Sequence, residues 1–173
     1  MTRPDAISRR AARVLLVDAS GRVLMLHGRD PARPDHGYWF TVGGGLDEGE
    51  SPVQGAVREL FEETGLRVSA ETVGAPVFHE VIEFPFDGAW YRQEQDFFLL
   101  RVDSWEVDFT GHTEIERASV DAYRWWPVDE LRATGEQIYP PTLPDLLATL
   151  APDLLATLAP DLLMPLTVED GPC

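Results

Sequence analysis

Gly43-Gly44-Gly45-Leu46-Asp47-Glu48-Gly49-Glu50-Ser51-Pro52-Val53-Gln54-Gly55-Ala56-Val57-Arg58-Glu59-Leu60-Phe61-Glu62-Glu63-Thr64-Gly65-Leu66 is the stretch that decides the fold. A glycine-rich turn feeds a helix whose ends are written locally. Ser51 can cap it, Pro52 suits its first position, and Gln54 completes a capping box with Ser51. Gly65 stands where a C-terminal glycine belongs. Val53, Ala56, Val57, Leu60 and Thr64 repeat at helical spacing and mark the face expected to be buried. At 100° per residue, Glu59, Glu62 and Glu63 share an arc of about 100°, largely away from that apolar face. Three carboxylates so close repel one another. A hard divalent cation with oxygen ligands would offset the repulsion.

A run of glutamates ordinarily marks a solvated face. The full spacing points elsewhere. Gly44, Glu50, Arg58-Glu59-Leu60, Glu62-Glu63 and Gly65-Leu66 form one fixed pattern. With average residue usage it arises by chance in a chain this long on the order of 10⁻⁷ of the time. Glycine before the helix lets backbone approach a ligand closely and offers carbonyls to a cation.

On the N-terminal side, residues 12–18 and 22–27 are short apolar runs separated by Ala19-Ser20-Gly21, which reads as a hairpin. Residues 28–37, rich in Pro, Gly and charge, are expected to be a loop. Tyr38 to Val42 is strand-like. On the C-terminal side, residues 73–86 and 89–102 read as strands joined at Asp87-Gly88, a two-residue hairpin signal. Residues 103–121 are polar and read largely as loop. Tyr123-Arg124-Trp125-Trp126 reads as a last strand, followed after Pro127 by a short helix. The expected division is a tail at 1–10, a catalytic domain at 11–143 and a helical segment at 144–173.

That last segment is repetitive. Pro144-Asp145-Leu146-Leu147-Ala148-Thr149-Leu150-Ala151 recurs at 152–159, and a third copy begins at Pro160. A period of eight is too short for a solenoid unit. One copy completes a helix with Leu146, Leu147 and Leu150 inward. The further leucines would expose an apolar patch unless covered, so a two-fold homodimer contact is expected.

Over 173 residues, 14 Lys and Arg stand against 30 Asp and Glu, a formal charge of −16. That balance argues against a nucleic-acid backbone or an anionic membrane as partner. The only cysteine is Cys173, so an intrachain disulfide is excluded and a reducing, cytoplasmic setting is the simple expectation. No apolar run reaches the length of a membrane span. Arg3, Arg9 and Arg10 are followed by Asp18 without a cleavage-like site, so a secretory signal is not expected.

The stretch from Gly44 to Leu66 is a complete match to the Nudix box and resembles the Nudix hydrolase family. The looser resemblance spans about residues 10–150, through the Trp39 approach to the glycines and the Trp125-Trp126-Pro127 tail. It implies an α/β fold: an α/β/α sandwich with a mixed sheet and the box helix against it. It also implies hydrolysis of a nucleoside diphosphate linked to another group, with Mg²⁺ or Mn²⁺ as cofactor. Carried over, Glu59, Glu62 and Glu63 would ligate the metal with the carbonyl near Gly44, while Glu50 and Arg58 hold the loop against the helix. The family often takes a general base from the box helix or from a loop before the final strand; Glu114 and Glu116 are the candidates in that loop. Many members have proline before the glycine pair, where this chain has Val42.

For a small nucleotide-like diphosphate, Arg29 or Arg92 could meet phosphate and Trp39 could stack a base. An isoprenoid diphosphate isomerase on the same fold would need a cysteine in the site, and Cys173 is terminal. A ligand-sensing module without turnover would not need the metal carboxylates, and all three are present.

Overall fold

The computed structural model describes residues 3–152, apart from the side chains of Ile115, Glu116 and Ala118. The second and third copies of the C-terminal repeat, and the subunit contact expected of them, lie outside the described residues. Seven strands and five helices follow in the order β1 (Ile7–Val17), β2 (Arg22–Asp30), β3 (Arg33–Gly45), α1 (Pro52–Thr64), α2 (Ala70–Val73), β4 (Phe78–Phe86), β5 (Ala89–Arg101), α3 (Glu114–Ser119), β6 (Val120–Pro127), α4 (Val128–Ala133), β7 (Ile138–Tyr139) and α5 (Leu143–Leu150).

The sheet is mixed. β1 runs parallel to β5 along its whole length, from Ile7 beside Tyr91 to Val17 beside Arg101. β4 closes one edge antiparallel to β5. β1 also pairs antiparallel with the glycine end of β3, Ala12 facing Gly44 and Arg13 facing Gly43. Beyond that point β3 pairs with β2, and β2 with β6. One strand thus joins two halves of a curled sheet, and the glycine turn leaves from the seam.

Alternation along the strands sends apolar residues to both faces. Ala12, Val14, Leu16 and Phe98 pack with Ala56 and Leu60 of α1. Leu15, Val17, Met25 and Phe97 pack with Leu131 of α4 and Leu143, Leu146 and Leu147 of α5. Leu150 packs against that same cluster from a less buried position. Helices on both faces of a mixed sheet make the expected α/β/α sandwich. No helix among the described residues is long and apolar enough to cross a membrane.

Two readings of local structure fail. Residues 28–37 are not a loop, because β2 and β3 continue to Asp30 and from Arg33. The glycines there serve packing: a Cβ on Gly37 would lie 2.6 Å from His27 Nε2, and one on Gly28 would lie 2.8 Å from the Ser119 carbonyl. Asp30 closes the turn by accepting from the Ala32 and Asp87 amides. Those amides, with Arg33, hold its carboxyl below the ordinary value although burial pushes it up. Residues 70–73, partly assigned to a strand, form α2 behind an N-capping Ser69. The polar stretch 103–121 is largely loop, as expected, and from Glu114 it holds α3 and the start of β6. The 87–88 hairpin forms as expected, with Asp87 at φ 48° and Gly88 at φ 78°.

Candidate active site

The box helix is capped as its sequence dictates. Ser51 Oγ accepts from the Gln54 amide and the Gln54 side chain accepts from the Ser51 amide. Gly65, at φ 77°, ends the helix and donates to the Phe61 carbonyl.

Arg58 is the hub of the loop and helix. Its Nε and Nη2 donate to the two oxygens of Glu50, at 2.8 and 2.9 Å, in a bidentate fork. Nη2 also donates to the Gly45 carbonyl at 2.9 Å. Nη1 donates to Glu59 Oε1 at 2.9 Å and Glu62 Oε2 at 3.1 Å. Glu50 in turn accepts from the Asp47 amide. The bond from Arg58 holds the Glu50 carboxyl below the ordinary carboxylate value despite partial burial. The bond to Glu50 likewise raises the Arg58 guanidinium above its own. The loop therefore cannot leave the helix without breaking a forked ion pair.

The carboxylates are more buried than their helical arc suggests. Glu59 is 6% exposed and Glu63 4%, whereas Val53 and Val57 are only partly covered. Such burial is tolerated only with partners. Glu63 Oε2 accepts the Gly43 amide at 2.8 Å. On the other side of the same residue, Arg13 of β1 donates through Nη1 to the Gly43 carbonyl at 2.8 Å and to Thr41 at 3.3 Å. Burial lowers the Arg13 pKa, and the charges of Glu63 and Glu59 oppose that shift. Gly43 sits at φ 135°, and a Cβ there would lie 2.1 Å from the Ala12 carbonyl, so only glycine fits. Gly44 is confined by a side chain instead, since a Cβ would lie 2.6 Å from Glu59 Oε1.

From Arg13 a polar strip continues over one face of the sheet. Arg13 Nε reaches Gln95, Gln93 donates to Gln95 at 2.8 Å, and Gln95 donates to Glu80 at 2.6 Å. Arg9 bonds to Gln93 and lies over the stacked rings of Phe84 and Tyr91. Burial and the neighbouring Arg13 lower the Arg9 pKa. Arg9, Arg13, Gln93 and Gln95 were missed in the sequence. Their shared parity on the paired strands β1 and β5 is the signal that marks them.

The residues expected to bind substrate fall apart. Trp39 is 9% exposed and stacks edge-on to Trp126 in the core, its indole donating to Glu136. Arg29 pairs with Asp121 at 3.2 Å, next to a 2.5 Å contact between Asp121 and His27. Arg29, His27 and Trp39 line a cavity of about 590 Å³. Arg92 pairs with Glu94 at 3.3 Å, and alternation puts it on the opposite face of β5 from Gln93 and Gln95. Glu114 is exposed at the start of α3, and the side chain of Glu116 lies outside what is described.

The donor set at the box is oxygen only, which suits Mg²⁺ or Mn²⁺. Among the described residues, no three His, Cys, Asp or Glu side chains already converge as a metal cage. Arg58 Nη1 instead spans Glu59 and Glu62. The residues fit such a cation in chemistry, and it would take over these two carboxylates from the guanidinium.

A mixed sheet between helices, with a glycine turn delivered onto buried helical glutamates, defines the Nudix class of α/β protein. The family model of the NUDIX domain matches residues 7–146, and the chain belongs to that family. It is a Nudix-type pyrophosphohydrolase. It is 31% identical over 134 residues to an RNA pyrophosphohydrolase of Mesorhizobium japonicum, covering 67% of this chain and 75% of that one. Against an RNA pyrophosphohydrolase of Roseobacter denitrificans it is 31% identical over 140 residues, covering 74% and 84%. The solved MutT protein of Methanosarcina mazei Go1 superposes with a TM-score of 0.59 at 17% identity, covering 87% of this chain and 98% of that one, a likeness of fold.

These relatives overturn one expectation. The charge of −16 was read as excluding nucleic acid, yet proteins this similar are named for action on RNA. Net charge averages over the whole surface, whereas a chain end meets only a local field.

Proposed function

We propose that this protein cleaves a pyrophosphate linkage in the 5′-polyphosphate of a nucleotide, RNA 5′ ends included, with Mg²⁺ or Mn²⁺ as cofactor. The observation that carries the reading is the junction at Gly43. There Glu63 of α1 accepts the Gly43 amide while Arg13 of the sheet donates to the Gly43 carbonyl, so helix and strand hold one glycine between them. The relatives' names support RNA as the carrier of that polyphosphate.

Glu59, Glu62 and Glu63, with the Gly44 carbonyl, would hold the cation. When bound, it supplies charge neutralisation at the phosphoryl oxygens and lowers the pKa of a nearby water. Glu50 and Arg58 keep the loop carbonyls against the helix. Arg9 faces the polyphosphate across the strip, while Phe84 and Tyr91 offer a surface for a base. Glu114 accepts the proton of the attacking water, and Glu116 is the alternative acceptor. One P–O bond forms to water oxygen as the anhydride P–O bond breaks, and the departing phosphate leaves with the bond's electron pair.

The test is a panel of nucleoside triphosphates, dinucleoside polyphosphates and a 5′-triphosphorylated oligoribonucleotide, each with Mg²⁺ and with Mn²⁺. The expected result is a phosphorylated 5′ end with released phosphate or pyrophosphate, and loss of turnover in chelator. Absence of cleavage across the panel, with ligand binding retained, would instead indicate a Nudix-fold sensor.

A further inference from the structure

The last turn of a helix leaves carbonyls without partners inside the helix. In α1 these carbonyls belong to the residues that carry Glu62 and Glu63, and the segment 103–113 covers them. The Asp108 amide donates to the Thr64 carbonyl at 3.0 Å, and the Trp105 indole donates to the same oxygen at 2.8 Å. Gly111 passes so close that a Cβ there would lie 2.9 Å from the Glu62 carbonyl.

His112 adds a different bond. Its Nε2 lies 3.0 Å from the Glu63 carbonyl oxygen. A carbonyl only accepts, so Nε2 carries the hydrogen. The residue is 6% exposed, and its ring meets Phe109 edge-on at 4.6 Å. Phe109 meets Tyr123 of β6 at 5.3 Å. The Gly65 amide, the Asp108 amide and the Trp105 indole already end the helix without His112. What the His112 bond adds is a tie between the backbone of Glu63 and the chain leading to Glu114. Two residues span at most about 7 Å, so that tie fixes Glu114 near the end of the carboxylate helix.

We propose that His112 is a positioning residue, whose Nε2–H to Glu63 carbonyl bond sets where Glu114 stands against the carboxylates of α1. The inference rests on the reading of Glu114 as proton acceptor. Loop and helix then move as one body, and the spacing between base and metal ligands is fixed by a side-chain bond.

Two variants separate positioning from folding. His112→Leu fills the ring volume without a donor, and His112→Gln places an amide nitrogen near the position of Nε2. Each is measured with the 5′-triphosphorylated oligoribonucleotide and Mg²⁺, alone and combined with Glu114→Gln, alongside thermal melts. His112→Leu should lower kcat by about 10- to 100-fold, with KM within about twofold, and His112→Gln should restore most of the loss. In the Glu114→Gln background, His112→Leu should add little, because both act on one step. A folded His112→Leu enzyme with wild-type kcat overturns the proposal, as does full multiplication of the two effects. If Glu114→Gln alone leaves kcat unchanged, the base assignment falls, and with it the delivery of Glu114; a loss in His112→Leu rescued by Gln would then place its effect on Glu63. Should the leucine variant fail to fold, His112→Asn, whose amide falls short of the carbonyl, gives the same readings.

Discussion

Replacing Gly44 with alanine separates the two tasks of the box loop. The new Cβ would lie 2.6 Å from Glu59 Oε1, 2.9 Å from its Cδ and 3.2 Å from Oε2, whereas ordinary contact begins at 3.4 Å. The carboxylate must therefore retreat by about 0.8 Å at its nearer oxygen. Glu59 is the far end of a flexible side chain, so the retreat costs the fold little. Gly44 is not at positive φ, and alanine there restricts the unfolded chain by roughly 0.4–1 kcal/mol, which offsets part of any strain. Stability should thus change by about 1 kcal/mol or less, a few degrees in Tm. Catalysis should respond far more. A shift near 1 Å in a group that holds reacting atoms costs on the order of 10²-fold, so kcat should fall by about 10- to 100-fold. The assay pairs a thermal melt with initial rates across a Mg²⁺ titration. Wild-type kcat in a folded Gly44→Ala protein would refute the placement of Glu59 at the reacting centre, and loss of activity only through unfolding would refute the separation of tasks.

Other perturbations have equally definite outcomes. Glu63→Gln keeps the side-chain shape and an acceptor for the Gly43 amide but removes an anionic ligand; turnover should fall by roughly 10²- to 10⁴-fold, read by single-turnover kinetics with the melt largely unchanged. Glu50 has a depressed pKa in the folded protein, so its stabilisation is present above its unfolded value of 4.5 and is lost as pH falls below that through the folded value. Glu50→Gln should flatten this acid limb in denaturant melts taken from pH 6 down to pH 3, as about one proton's worth of slope disappears. Arg58→Lys keeps the charge but not the fork, leaving Glu50, Glu59 and Glu62 competing for one ammonium. It should destabilise the protein by about 2–4 kcal/mol in urea melts, and a loss under about 0.5 kcal/mol would contradict the hub role.

The box helix was legible because its signals are local: Ser51, Pro52, Gln54 and Gly65 act within one turn of themselves, and each bond they promise is made. The burial of Glu59 and Glu63 was not. It depends on Arg13, which arrives from β1 thirty residues before Gly43, and on the Gly43 amide turned toward Glu63. Periodicity assigns a helical face by hydrophobicity alone and has no means of recording a cation brought by another strand. The same limit hid the polar strip on the sheet. Arg29 and Arg92 stood out as isolated cations near aromatic residues, but each is spent on a neighbouring carboxylate. Arg13 looked like an interruption of an apolar strand, and Arg9 was read as part of a basic tail. Glycines misled at 28–37, where Gly28 and Gly37 serve close packing within a long hairpin. The helix α3 is six residues long, too short for a periodic signal in a polar stretch.

Glu59, Glu62 and Glu63 are proposed to hold the cation on which hydrolysis depends. That role is tested most directly by titrating Mn²⁺ into the protein while following bound metal by electron paramagnetic resonance and cleavage of the 5′-triphosphorylated oligoribonucleotide in the same samples. Turnover is expected to rise along the binding curve, and Glu59→Gln and Glu63→Gln are each expected to weaken binding and turnover together. Unchanged Mn²⁺ binding in both variants, or full turnover in metal-free protein, would contradict it.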